Sequence, residues 1–163
     1  MESEQQHPRR SPEEQKELEA RIHQLMEERV SFNQHLGLKI QSLSGDECTM
    51  HFAMRPELVG HFLYGRLHGG VISSALDATA GVSILAAQAD KHKHESADQV
   101  MERFKYIGTI DLRVDYLRSG QGTSFTARSV VTRLGRRIAS TQMELINEAN
   151  VLIATGAGSY IVS

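Results

Sequence analysis

Apolar positions change their period along the chain. Leu18, Ile22, Leu25, Met26 and Val30 recur every three or four residues, one face of a helix. Ser11-Pro12-Glu13-Glu14 is its start signal, with serine as cap, proline at the first helical position and acids in the first turn. Gly37 stops it, His35 standing just before as a candidate C-terminal cap. The period then falls to two. Cys48, Met50, Phe52 and Met54 alternate with Thr49, His51 and Ala53, and Leu38 to Leu43 is the partner strand across the Ser44-Gly45-Asp46 turn. Arg55-Pro56 ends that hairpin, and Pro56 to Leu67 reads as a loop. His68-Gly69-Gly70 opens a second helix reaching about Ala89. Asp90 to Lys105 is a charged surface excursion, helical around Ala97 to Phe104. The last third alternates again. Ile110, Leu112, Val114 and Tyr116 mark one strand, Thr123 to Arg133 a second, Ala139 to Leu145 a third and Val151 to Val162 a fourth, with short turns between them.

The helix from Val71 to Ala89 is apolar nearly all round and has to be covered nearly all round. A curved antiparallel sheet wrapped around a long central helix does this. The expected class is α+β, a hotdog fold with an extra N-terminal helix: tail and helix over 1–31, hotdog domain over 32–163. Such a sheet leaves an edge strand and part of the helix open, so a symmetric homodimer, or a dimer of dimers, is expected.

Composition narrows the function. The 163 residues are 40% hydrophobic and 23% charged, a globular profile with no low-complexity tract. A net charge of -2 argues against a nucleic-acid partner, and 6% aromatics with no tryptophan against a base-stacking platform. The single cysteine, Cys48, excludes an internal disulfide and a cysteine-based zinc cage. His92 and His94 read as solvated loop residues rather than metal ligands. The polar start lacks a signal-peptide core, and Asp77 within the long helix argues against a membrane span, so a cytoplasmic protein is expected.

Asp77 is the only Asp, Glu, Lys or Arg between Arg66 and Asp90. A carboxylate in an apolar helix needs pairing or hydrogen bonds, so it is either a structural acid holding a partner or a functional one. Gly69-Gly70 at the helix start lets a ligand approach free N–H groups, which also suits a plain tight turn. From Gly69 to Asp77 the axis advances about 12 Å at about 1.5 Å per residue. One carbonyl cannot reach both within one helix, but two helices related by a dyad could share it.

The segment Leu67-His68-Gly69-Gly70-Val71-Ile72-Ser73-Ser74-Ala75-Leu76-Asp77, followed by Gly108-Thr109-Ile110-Asp111-Leu112-Arg113-Val114-Asp115-Tyr116-Leu117-Arg118, resembles the PaaI group of hotdog thioesterases, and within it the YigI-like branch. The resemblance runs from about Phe32 to Val162. It implies hydrolysis of medium- to long-chain acyl-CoA without metal or redox cofactor. It further implies that Gly69 donates to the thioester oxygen, that Asp77 is nucleophile or general base, that His68 positions the loop, and that Thr109 helps place water. Gly70, His61 and Phe62 would lie beside the substrate; Phe62 stands where PaaI-type enzymes often carry asparagine. Arg136 and Arg137, with Arg133, are either a solvated turn or a grip on the coenzyme A phosphates; Arg113, Arg118, Arg103 and Lys105 are alternatives. Small residues on the long helix (Ser73, Ser74, Ala75, Ala78, Ala80 and Gly81) would leave room for an acyl groove. A non-catalytic acyl-CoA sensor on the same fold would not need Asp77, and a hotdog dehydratase would pair its histidine with a second acid. A short-chain or aryl-CoA thioesterase is the other alternative.

Overall fold

The computed structural model describes residues 9–163; part of the expected polar tail, residues 1–8, lies outside them. The first helix is interrupted. Helix α1 (Pro12–Gln24) is capped by Ser11, whose hydroxyl accepts from the Glu14 amide, and passes into a π-helical turn (Leu25–Arg29). Val30 is extended, and α2 (Ser31–Leu36) follows, ended by Gly37 in the left-handed region at φ 74. In the π turn the Val30 amide donates to Leu25 rather than to Met26. The Met26 carbonyl so released accepts instead from the buried Asn33 side chain at 3.0 Å. Leu18, Ile22 and Met26, four residues apart, are buried in the common core, so this segment is built into the fold rather than laid upon it.

Strands β1 (Lys39–Ser42) and β2 (Cys48–Ala53) form the expected hairpin. The stretch expected as loop folds further. A 3-10 turn (Pro56–Leu58) leads into β3 (Val59–His61) and β4 (Arg66–Leu67), a two-stranded sheet of its own. These strands are too short to show a period, which is why alternation does not reveal them. Helix α3 (Gly69–Lys91) is the long apolar helix, and α4 (Ala97–Arg103) starts on a capping box of Ser96 and Gln99. Strands β5 (Gly108–Tyr116), β6 (Ser124–Leu134), β7 (Ile138–Asn147) and β8 (Leu152–Ile161) complete a six-stranded antiparallel sheet in the order β1-β2-β6-β7-β8-β5. This is the hotdog arrangement, with α3 packed across the sheet, mostly on β6 and β7.

Phe52, Phe125, Leu145 and Ala154 meet Leu76, Ile84 and Leu85 of α3 in one buried cluster, and Ser83 shares a 2.7 Å hydrogen bond with Ser129 at its centre. Helix α3 is long and apolar enough to cross a membrane, and its burial against the sheet accounts for that character. Cys48 is core; burial pushes its thiol up to about 11, so it packs as an apolar group. At the far end of α3 His92 is not simply solvated: its ring lies 3.5 Å from Glu95, which also binds Arg103.

Two ties fix the N-terminal segment. Arg10 donates to the carbonyls of Ala89 and Glu95 at 3.0 and 2.7 Å, capping the end of α3. Glu27 accepts from the Ile40 amide at 2.9 Å and pairs with His23 and Lys39. Burial opposes ionisation of Glu27, but the Ile40 amide, His23 and Lys39 outweigh it and hold the carboxyl below its ordinary range. A depressed carboxylate stabilises the fold above its unfolded value and loses that contribution as pH falls through the folded one. Glu27→Gln is therefore expected to lower unfolding free energy by about 1–2 kcal/mol at neutral pH. Urea melts of the two proteins should converge as pH falls from about 5 toward about 3.

Candidate active site

Asp77 lies in the third turn of α3, half-buried, on a face turned toward one end of the sheet. Its Oδ1 accepts two hydrogen bonds, from the Thr109 hydroxyl at 3.0 Å and the Tyr160 hydroxyl at 2.9 Å. Thr109 and Tyr160 are direct cross-strand partners on β5 and β8, so one sheet position presents both donors. The Asp77 Oδ2 receives no hydrogen bond from any described residue.

A bulge makes this possible. The register of β5 against β8 shifts between Thr109 and Asp111. Strict alternation would put Ile110 inward with Leu112 and Val114; instead Ile110 is 54% exposed and Thr109 reaches Asp77. One extra residue in the strand inverts the facing of everything before it.

Tyr160 is buried, and burial, followed by the adjacent Asp77 charge, drives its phenol far above the ordinary tyrosine value. It therefore remains a proton donor to the carboxylate. Its ring lies over Gly158, where an added Cβ would stand 2.8 Å from the ring and 3.0 Å from the hydroxyl. Sequence reading missed Tyr160. Its signal was a lone aromatic following two glycines, Gly156 and Gly158, at alternate positions of the last strand.

The start of α3 is built separately. His68 is the N-cap, and its Nδ1 accepts from the Gly70 amide at 2.8 Å. A neutral imidazole then carries its proton on Nε2. With the Gly70 N–H engaged, the Gly69 N–H is the one that meets no acceptor among the described residues. Tyr116, read from sequence only as a strand position, donates to the Gly69 carbonyl at 3.0 Å and holds the turn. The 3-10 turn that leads into β3 is tied to this end by the His68 amide, which donates to the Leu58 carbonyl at 2.9 Å. The His61 ring packs on Tyr64 at 4.8 Å, and Phe62, Leu63 and Tyr64 stand 84%, 68% and 60% exposed. His61 and Phe62 thus lie at the Gly69 end and are absent from the walls around Asp77.

A cavity of about 260 Å³ opens beside Asp77, Thr109 and Tyr160. Of the small residues on α3, Ser74, Ala78 and Gly81 line it, whereas Ala75 and Ala80 are fully buried in the core. A larger concavity of about 600 Å³ lies on the sheet face opposite α3. It holds Arg113, which pairs with Asp115 at 3.1 Å on its own strand and faces away from Asp77. The smaller cavity is the one that holds the hydrogen-bonded Asp77, Thr109 and Tyr160 together, so it is the candidate site. Arg136 and Arg137 sit at the β6–β7 turn; Arg136 shares a hollow with Lys91, which lies about 21 Å along the helix axis from Asp77.

Residues 64–154 match the family described as the thioesterase superfamily. The chain belongs to that superfamily. It is 39% identical over 133 residues to the medium/long-chain acyl-CoA thioesterase YigI of Escherichia coli K12, a match covering 82% of this chain and 86% of that one. YigI of Salmonella typhimurium is 40% identical over the same length. A crystal structure from Shewanella oneidensis, described as related to the thioesterase superfamily, superimposes with a TM-score of 0.87 at 35% identity, covering 94% of this chain and 99% of that chain. The matched stretch contains His68, Gly69, Asp77 and Thr109 but stops short of Tyr160.

In this thioesterase-superfamily chain Gly158→Ala is expected to displace the Tyr160 ring and cost about 1–3 kcal/mol of stability. Tyr160→Phe keeps the ring and removes only the hydroxyl that donates to a carboxylate, so it should cost about 1.5–3 kcal/mol without moving the ring. Chemical denaturation of the two variants separates ring placement from the hydrogen bond.

Proposed function

We propose that this chain hydrolyses medium- to long-chain acyl-CoA thioesters in the cytoplasm, releasing coenzyme A thiol and a free fatty acid. The observation that carries the reading is Asp77 itself: an acid on an apolar helix, fixed through Oδ1 by two hydroxyls, with Oδ2 taking no hydrogen bond from the described residues, at the wall of a largely apolar cavity. The sequence likeness to YigI supports the substrate class. A sensor has no need of an oriented carboxylate, and no second acid lines the Asp77 cavity among the described residues, as a dehydratase would require.

The oriented Oδ2 acts on the thioester carbonyl carbon, either directly as nucleophile or by taking a proton from the attacking water. Thr109, already donating to Asp77, keeps lone pairs free to accept from that water. The carbon–sulfur bond breaks and the thiolate leaves, taking the proton drawn from water; the acyl carbon keeps the water oxygen, directly in the base route or when water cleaves the acyl–Asp77 anhydride and frees the carboxylate in the nucleophile route. The carbonyl oxygen carries the developing negative charge, and a free amide at a helix start suits it. Within one chain Gly69 is too far along the helix from Asp77, so the donor is Gly69 of the partner subunit in a homodimer. The unpaired edge strand β5, with Ile110 and Tyr116 both 54% exposed, offers the surface for that pairing. Arg136, which shares a hollow with Lys91, and its neighbour Arg137 form the cationic cluster suited to the coenzyme A phosphates.

Asp77→Asn keeps the shape and removes the base; kcat should fall about a hundredfold or more with the melting transition retained. Near-normal thiol release by the purified variant would overturn the assignment. Mixed dimers of Asp77→Ala and Gly69→Pro subunits should regain part of the activity, since one of two shared sites is intact. Verified hybrids that stay inactive would place each site within one chain.

A further inference from the structure

The cavity beside Asp77 has walls of two origins. One is α3, contributing Ala78 and Gly81. The other is the N-terminal segment, contributing Met26 from the π turn, the extended Val30 and Phe32 of α2. Phe104 and Ile107 close the side between them. The named side chains are apolar; the polar groups of the lining are Ser74 and Asp77 on α3, Asn33 on the N-terminal wall, and Thr109 and Tyr160 from the sheet.

The N-terminal wall is held in a specific shape. The π turn releases the Met26 carbonyl, buried Asn33 takes it up, and Glu27 ties the turn to β1. Interruptions of this kind concentrate at functional sites. Here the interruption sets Met26, Val30 and Phe32 on the cavity. The facing residue, Gly81, stands one turn beyond Asp77 on the same side of α3. A Cβ added there would meet nothing within 4 Å. The room is therefore real space, and the backbone at Gly81 does not require glycine.

We propose that this cavity takes the acyl chain, and that the N-terminal segment is the wall which, against Gly81, sets the preferred chain length. The proposal rests on the thioesterase reading above and extends it to the acyl subsite. A volume of about 260 Å³ falls below the roughly 300–1,000 Å³ of pockets for drug-sized ligands and suits one slender chain. Phe32, 56% exposed, stands at the mouth, while Met26, 4% exposed, lies at the base. Each methylene that enters should raise kcat/KM about fourfold until the cavity is full.

The test measures kcat/KM for saturated acyl-CoA substrates from butanoyl to hexadecanoyl, below their micelle concentrations, with Gly81→Leu, Gly81→Ala and Val30→Phe. These variants fill the cavity from opposite walls. The dodecanoyl-to-butanoyl ratio should fall at least tenfold in Gly81→Leu and in Val30→Phe, and by less in Gly81→Ala. Circular-dichroism melts accompany each; if Gly81→Leu does not fold, Gly81→Ala and Val30→Phe decide. An unchanged ratio in all variants overturns the subsite, and a change confined to the Gly81 variants overturns the N-terminal wall. Binding of the non-hydrolysable thioether dodecyl-CoA, followed calorimetrically, separates the two readings. If the native protein cleaves no thioester yet binds this probe at least tenfold more tightly than Val30→Phe does, the subsite stands and the hydrolase assignment falls. Equal binding by both proteins overturns the subsite.

Discussion

A single carboxylate within the apolar run of a long helix constrains the rest of this structure. Helix α3 is buried against the sheet along most of its length, and Asp77 is the one Asp, Glu, Lys or Arg on it before Asp90. An ionised acid in such a place requires hydrogen bonds that do not neutralise it. Two hydroxyls from adjacent strands supply them on one oxygen and leave the other open. The bulge in β5, the glycine beneath the Tyr160 ring and the burial that keeps Tyr160 protonated all serve this one arrangement.

Two further departures from regularity bear on the candidate site and on the start of α3. The π turn, the extended Val30 and the buried Asn33 shape the wall opposite Asp77. His68 engages one glycine amide at the helix start and leaves its neighbour free, while Tyr116 holds the carbonyl of that same Gly69. On the outer sheet face Arg113 pairs with Asp115 of its own strand and faces away from Asp77.

The open edge of β5 and the exposed aromatic hairpin tip leave this chain with unpaired backbone and apolar surface. Both lie near the elements that carry Thr109, Tyr116 and His68. Under the proposed dimer, the separation of Gly69 from Asp77 along α3 ceases to be an obstacle and becomes the reason that two copies are needed.

Much of this was legible in the chain. Periodicity located α1, α3 and the four long C-terminal strands, because a helix face or sheet face that must be buried repeats at 3.6 or 2 residues. The Ser11-Pro12 start, the Gly37 stop and the His68-Gly69-Gly70 helix opening were also local, each fixed by the backbone demands of a few adjacent residues. Asp77 stood out because a lone acid in an apolar helix contradicts its surroundings. What sequence could not convey was which distant groups meet. Tyr160 reaches Asp77 only because β8 lies beside β5 in the sheet. Thr109 faces inward only because a bulge inverts the alternation that otherwise predicts Ile110 there. Arg113 and Arg136 read alike as cations, yet one faces away from Asp77 and the other stands beside Lys91. Met26 and Val30 read as one stripe of a straight helix, and the π turn between them sets both on the cavity. Local propensity and period follow from neighbours in the chain. Register, facing and the company a side chain keeps follow from strand pairing across long separations, which tertiary packing alone decides.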